Sequence, residues 1–409
     1  MSSETPGFGQ RLRALAALFL RLGIIGFGGP LAHVGLMEDL CVTRRQWATR
    51  QQFLEGLAIC NLMPGPTSTQ LSIYLGYLRA GLLGGLVSGA CFIFPAFLLV
   101  LALAWAYVQL GSLPQVGALF IAIGPVVVGI IANTVYRTGK TALTNVSTWI
   151  IALVACALVV HPLLPPAVNL LTILLIAGLA GVLLYRRAFQ SQAATPKEEA
   201  PASPPEAPKA DSSVKSILVA PLLGAKTFAA AASTAGVLTV ALVFLKIGFL
   251  MFGGGLVIAP LLQQELVDGP HWLTTRQLLD GLALGQLTPG PVTTVATFAG
   301  YTVAGFPGGV VATIAVFAPS FILVLSLTPL LLRVRNAPLA KAFLKGITAG
   351  PLGAIAAAAI LFGLAAITDV FTVVIALVSL GLLIRWNVNT VFLISGAAVL
   401  GLGRALLHL

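Results

Sequence analysis

Residues 19–66 read FLRLGIIGFGGPLAHVGLMEDLCVTRRQWATRQQFLEGLAICNLMPGP, and residues 244–291 read FLKIGFLMFGGGLVIAPLLQQELVDGPHWLTTRQLLDGLALGQLTPGP. Laid on one another at a constant offset of 225, with no gap, they share 20 of 48 positions. Shared anchors include Gly23 with Gly248, Phe27-Gly28-Gly29 with Phe252-Gly253-Gly254, Trp47 with Trp272, and Pro64-Gly65-Pro66 with Pro289-Gly290-Pro291. After one deletion the register resumes, with Gly76-Tyr77 on Gly300-Tyr301, Gly84-Gly85 on Gly308-Gly309 and Pro95 on Pro319. The chain is a duplication, with one copy in residues 1–189 and the other in 216–409. Between them, 190–215 carries Pro196, Pro201, Pro204, Pro205 and Pro208 among Ala, Ser, Glu and Lys, a composition that cannot bury a core and predicts a disordered linker.

Of 409 residues, 58% belong to the hydrophobic set and 9% are charged, with a mean hydropathy of +1.01. A soluble domain of this length at roughly 25% charge would carry about 102 charged residues. This chain has 35, and nine of those fall within 186–215. A water-soluble enzyme is excluded. The net charge of +11 is not gathered into any Lys/Arg run that could make a phosphate stripe, so it reads as membrane orientation rather than nucleic-acid binding. Cys41, Cys60, Cys91 and Cys156 form no CxxC and the four histidines are scattered, which predicts neither a metal nor another cofactor. The first apolar stretch contains Arg21 and lacks a small-residue cleavage site, so it is expected to be retained.

Apolar spans near 12–29, 82–108, 116–136, 148–160 and 168–185 are long enough, or nearly so, to cross about 30 Å of hydrocarbon. Residues 52–80 differ, because Pro64-Gly65-Pro66 cuts them into two short pieces that predict a re-entrant hairpin. The second copy repeats the plan with spans near 234–252, 308–331, 340–363, 367–384 and 388–407 and a hairpin at 277–304. The fold expected is an all-α polytopic membrane protein of two inverted repeats, each of about five transmembrane helices plus a broken hairpin. Loop charge supports inversion. Arg44, Arg45, Arg50, Arg79, Arg137, Lys140, Arg186 and Arg187 mark one set of loops as cytoplasmic, and Arg333, Arg335, Lys341, Lys345 and Arg385 mark the alternate set in the second copy. The loops 31–50 and 253–276 are then expected on opposite faces. Arg11 and Arg13 run against this scheme, which puts the N-terminus outside.

Inverted repeats with broken helices are the build of secondary transporters, whose site lies where the repeats meet. The breaks are Gly28-Gly29-Pro30 and Gly253-Gly254, and the two Pro-Gly-Pro turns, Pro64-Gly65-Pro66 and Pro289-Gly290-Pro291. After the turns come Thr67, Ser68 and Thr69 in one copy and Thr293 and Thr294 in the other. A helix starting there offers free N–H groups, a positive dipole end and hydroxyls, which suit an oxyanion. The alternative is a kink with a small-residue packing face. Arg21 and Lys246 occupy matched positions and could together neutralise a dianion, or snorkel to headgroups. Glu55 and Asp280 are the matched acids, candidates for carrying a proton or, alternatively, interfacial carboxylates on a helix dipole. Asn61 and Gln286 are matched amides that could donate to substrate or close the hairpin onto backbone.

Phe27-Gly28-Gly29-Pro30 followed by Pro64-Gly65-Pro66, their counterparts from Phe252 and Pro289, and the two-half layout resemble the long-chain form of the chromate ion transporter family. The resemblance covers nearly the whole chain outside the linker and departs from the pattern at Gly255, which stands where the first copy has Pro30. It implies multi-pass insertion in the inner (plasma) membrane and proton-driven export of chromate, a tetrahedral dianion, conferring chromate resistance. Sulfate shares chromate's charge and shape, so a sulfate-type transporter stays open, as does an anion channel built on the same helix ends. A membrane-bound enzyme acting on lipid phosphate lacks a His or metal constellation. The expected partners are chromate, with sulfate as the alternative, and the lipid bilayer; a homodimer is left open.

Overall fold

The computed structural model describes residues 7–111, 113–160, 170–193, 236–252, 254–334 and 338–407. Among them the chain is helical, with no strand. The first repeat runs α1 (Phe8–Ile25), α2 (Gly29–Met37) with a π-helical continuation over Glu38–Arg44, α3 (Arg50–Leu62), α4 (Thr67–Leu110), α5 (Pro114–Ala142), α6 (Val146–Val160) and α7 (Leu170–Ala193). The second runs α8 (Val237–Leu250), a 3-10 turn at Gly255–Val257, α9 (Ile258–Leu262) with a π-helical continuation over Gln263–Asp268, and α10 (Thr275–Leu287). It continues with a 3-10 turn at Val292–Thr294, α11 (Val295–Val334), α12 (Pro338–Ala366), α13 (Val370–Trp386) and α14 (Thr390–Leu406). Among the described residues, four segments are long and apolar enough to cross a membrane: Thr67–Leu110, Val116–Ala142, Val292–Thr328 and Thr348–Ala366. The chain is a multi-pass membrane protein. Helix α7 takes in the first residues of the expected linker, whose remainder lies outside the described residues.

Both hairpins form. Thr49 and Thr274 cap α3 and α10, each closing a reciprocal box with a glutamine three residues on, Gln52 or Gln277. The chain then turns at Pro-Gly-Pro and packs back: the Tyr74 hydroxyl donates to the Gln52 carbonyl at 3.2 Å. Helix α4 holds a second reversal, at Ala80-Gly81, where Gly81 has φ 64° and ψ −152°. Its counterpart Gly305 has φ 62° and ψ −156°, a region open in practice only to glycine. Past that corner the second limb of α4 returns along the first, and the Ser88 hydroxyl donates to the Ser72 carbonyl at 2.7 Å. In the second repeat the Thr297 and Thr313 hydroxyls meet at 2.7 Å.

Two expectations need correction. Residues 31–50 and 253–276 are not simple loops: Pro30 in the first turn of α2 and the left-handed Gly28 restart a helix immediately after α1 ends. The same happens, later and in shorter pieces, after Gly254. The start of α1 also lies at the same end of the repeat as residues 79–81, not opposite them, because Arg11 Nη1 donates to the Arg79 carbonyl at 3.4 Å. Arg45 and Arg79 both stack on Trp47 at that end, so α1 goes in and α2 brings the chain back. Helix α1 therefore does not add a crossing to the count on which the inversion was argued.

The relation between repeats is read from contacts instead. A Cβ on Gly85 would lie 2.6 Å from Leu325, and one on Gly309 would lie 3.1 Å from Leu101. As numbers rise along α4 they fall along α11, so these equivalent helices run antiparallel. Helices α5 and α12 do the same, with Gly124 facing Ala366 and Gly139 facing Leu352. Each also packs on the other repeat's last two helices through glycine, Gly129 against Ser379 and Gly353 against Ala155. In a bilayer, close backbone approach at small residues is what holds helices together. The two repeats interlock around their broken helices.

Candidate functional site

The ends of α1 and α8 and the two Pro-Gly-Pro turns cross between repeats. Gly65 N–H donates to the Met251 carbonyl at 2.7 Å, and Gly290 N–H donates to the Gly26 carbonyl at 2.9 Å. Met251 and Gly26 are themselves repeat-equivalent, so the two bonds are one interaction made twice. Both glycines have positive φ, 127° and 93°. Both also touch the opposite repeat where a side chain would sit: a Cβ on Gly65 would collide with Ser320 Oγ, and one on Gly290 would lie 2.9 Å from the Ala96 methyl.

The expected oxyanion residues separate by environment. Pro66, Ser68 and Thr69 are buried, as are Pro289, Gly290, Pro291, Thr293 and Thr294, while Pro64 and Thr67 are half-buried. Thr69 Oγ1 and Thr293 Oγ1 are fully enclosed, with no hydrogen-bond partner among the described residues. The Thr294 hydroxyl donates back to the Pro291 carbonyl at 2.9 Å. Gly28 is exposed, Gly29, Pro30 and Gly254 are half-buried, and Gly253 lies outside the described residues. Asn61 accepts a bond from the Thr67 hydroxyl at 3.3 Å, which closes the turn, and Gln286 is half-buried beside the other turn.

The matched charges do not share a setting. Arg21 is exposed on the outer side of α1, the placement of a side chain that reaches a headgroup. Lys246 is held at 2.6 Å by Glu265, whose place in the first repeat is taken by Leu40. Glu55 is half-buried and accepts from Gln51 at 3.2 Å. Asp280 is 5% exposed, and the Tyr107 hydroxyl from the first repeat donates to its Oδ2 at 2.8 Å. The Arg276 guanidinium lies 3.8 Å from Oδ1, within ion-pair range and too far for a hydrogen bond. Tyr107 is wedged edge-on between Phe120 and Phe298, so its hydroxyl is fixed in place. Sequence reasoning missed Tyr107, Glu265, Gln70, Ser320 and His33. The first four act through contacts that no local spacing announces. His33 had a signal, since it stands where the second copy has Ile258. Its Nε2 lies 2.8 Å from the Gly26 carbonyl. No group of three His, Cys, Asp or Glu suited to a metal occurs among the described residues.

The chromate transporter family matches residues 13–182 and 238–402, which take in both repeats. The chain belongs to the chromate transporter family. Among its relatives, the chromate transport protein of Cupriavidus metallidurans is 38% identical over 397 residues, 96% of this chain and 92% of the relative. The probable chromate transport protein of Synechococcus elongatus is 36% identical over 90% of this chain and 89% of its own. The chromate transport protein of Pseudomonas aeruginosa is 32% identical over 85% and 80%. No solved structure matches. As a member of this family the chain is a transporter and not an enzyme, and its two family segments each contain one Pro-Gly-Pro turn and one glycine break.

Proposed function

We propose that the transporter exports chromate across the inner membrane, coupled to the proton gradient, through a site formed where the two Pro-Gly-Pro turns cross between inverted repeats. The reading is carried by the paired bonds from Gly65 to Met251 and from Gly290 to Gly26, which bring two helix starts and their enclosed, unpartnered threonine hydroxyls to the repeat interface. A dianion there is met by hydroxyl hydrogens and by the positive ends of helix dipoles. The interior-negative potential favours its exit by about 2.3 kcal/mol per charge per 100 mV. Lys246 supplies the neutralising cation in this account by exchanging Glu265 for substrate, and Arg21 anchors α1 at the headgroups.

Expressing the chain in a chromate-sensitive bacterium should lower the chromate content of the cell at equal external concentration. Unchanged content, with the protein present in the membrane, would remove the export reading. Sidedness has its own test in a background without the four native cysteines. Cysteine in place of Arg44 should label from the cytoplasm and cysteine in place of Asp268 from outside. Labelling of both from one side rules the inversion out.

A further inference from the structure

The two crossings share a backbone pattern but differ in side chains. At the crossing of Gly290 with Gly26 the space is filled: the Ala96 methyl lies against Gly290, and the ring of His33, itself 1% exposed, caps the Gly26 carbonyl and stands edge-on to Phe92. At the crossing of Gly65 with Met251 the equivalents are Ser320 in place of Ala96 and Ile258 in place of His33. Against Gly65 stand two polar side chains with no exposed area, Ser320 and Gln70, and the Ser320 Oγ has no partner among the described residues. Gln70 Nε2 donates to the Pro64 carbonyl at 2.6 Å and keeps a second hydrogen.

A hydroxyl on a membrane helix ordinarily satisfies itself by donating to the carbonyl four residues back. Ser326 and Thr328 on the same helix do so, to Ile322 and Val324. Ser320 does not. A buried hydroxyl left unbonded costs about 1–3 kcal/mol, and the second repeat's turn shows that alanine fills the same position in the same fold. The Ser320 hydroxyl and the remaining hydrogen on Gln70 Nε2, both crowding the place where a Cβ on Gly65 would sit, are donors for a ligand that brings its own acceptors. One hydroxyl hydrogen and one amide hydrogen can serve two oxygens of a tetrahedral oxyanion.

Taking the oxyanion site proposed above as its basis, we infer that the ion is held at the Gly65 crossing, with Ser320 and Gln70 as its side-chain ligands, while the Gly290 crossing, where Ala96 stands in place of Ser320, does not hold it. Ser320 is then the residue that makes the two halves of a duplicated protein unequal in substrate contact.

The test is calorimetric titration of chromate, sulfate and molybdate into purified full-length protein in detergent, alongside its thermal unfolding midpoint. Ser320→Ala installs the residue that the second crossing already tolerates, so the fold should hold and the unfolding midpoint stay put. Chromate binding should weaken about tenfold for loss of one hydrogen bond to an ion. The mirror change, Ala96→Ser, should leave affinity within twofold. Wild-type affinity in Ser320→Ala, or an equal loss in Ala96→Ser, overturns the one-sided site while leaving the transporter reading intact. Wild-type protein that binds none of the three ions removes that reading and this one together.

Discussion

Gly290→Ala and Gly65→Ala should each abolish chromate transport while the protein still reaches the membrane. At φ 93° and 127° an alanine is strained, at about 1–2 kcal/mol. Its methyl would press on Ala96 in one case and collide with Ser320 in the other. Movement to relieve that contact stretches the N–H bond to the opposite repeat, worth about another 1–2 kcal/mol when left unmade in a buried place. Together these correspond to roughly 30- to 700-fold in the population of the correctly formed crossing. Gly117→Ala is the control, because nothing lies within 4 Å of a Cβ there and the helix accepts it. Uptake of labelled chromate, normalised to membrane protein level, reads the result. Wild-type uptake by Gly290→Ala would show that the crossing is not needed.

Asp280→Asn should keep chromate exchange and lose the pH dependence of net transport. The proposed carrier must hold a proton in one state and release it in another, and a carboxyl 5% exposed with one phenol and one distant guanidinium around it is poised for that. Glu55, half-buried and bonded to Gln51, is in a wetter setting. Glu55→Gln should therefore change the pH profile little. Tyr107→Phe separates positioning from carriage. The phenol donates more strongly to the ionised carboxylate than to the neutral acid, so its loss should move the profile toward higher pH without flattening it. Full pH dependence in both Asp280→Asn and Glu55→Gln would end the carrier role and favour a channel.

Much of the fold was legible because glycine and proline dictate backbone locally. The hairpins at 52–80 and 277–304 followed from Pro-Gly-Pro alone, and α3 and α10 sit where that reading put them. Residues 31–50 misled because Glu38, Asp39, Arg44 and Arg45 look like loop charge, whereas α2 carries them back to the face where Trp47 stacks with Arg45 and Arg79. With that element corrected, the start of α1 lies at the same end of the repeat as Arg79, beside Arg45 and Trp47. Within the site, the turns and their hydroxyls could be read from the repeat, but the bonds that unite them could not. Gly65 finds Met251, and Asp280 finds Tyr107, across the whole fold. Duplication hid Lys246 in a different way: matching it to Arg21 suggested two equal cations, and the pairing with Glu265 has no counterpart in the first repeat.

Chromate movement through the crossed turns is tested most directly by uptake of labelled chromate into inverted membrane vesicles, where export from the cell becomes entry. Vesicles containing the transporter should accumulate chromate when the lumen is acid, lose that accumulation when the gradient is collapsed, and show it reduced by excess sulfate. Uptake no greater than in vesicles without the protein, at any gradient, would contradict the account.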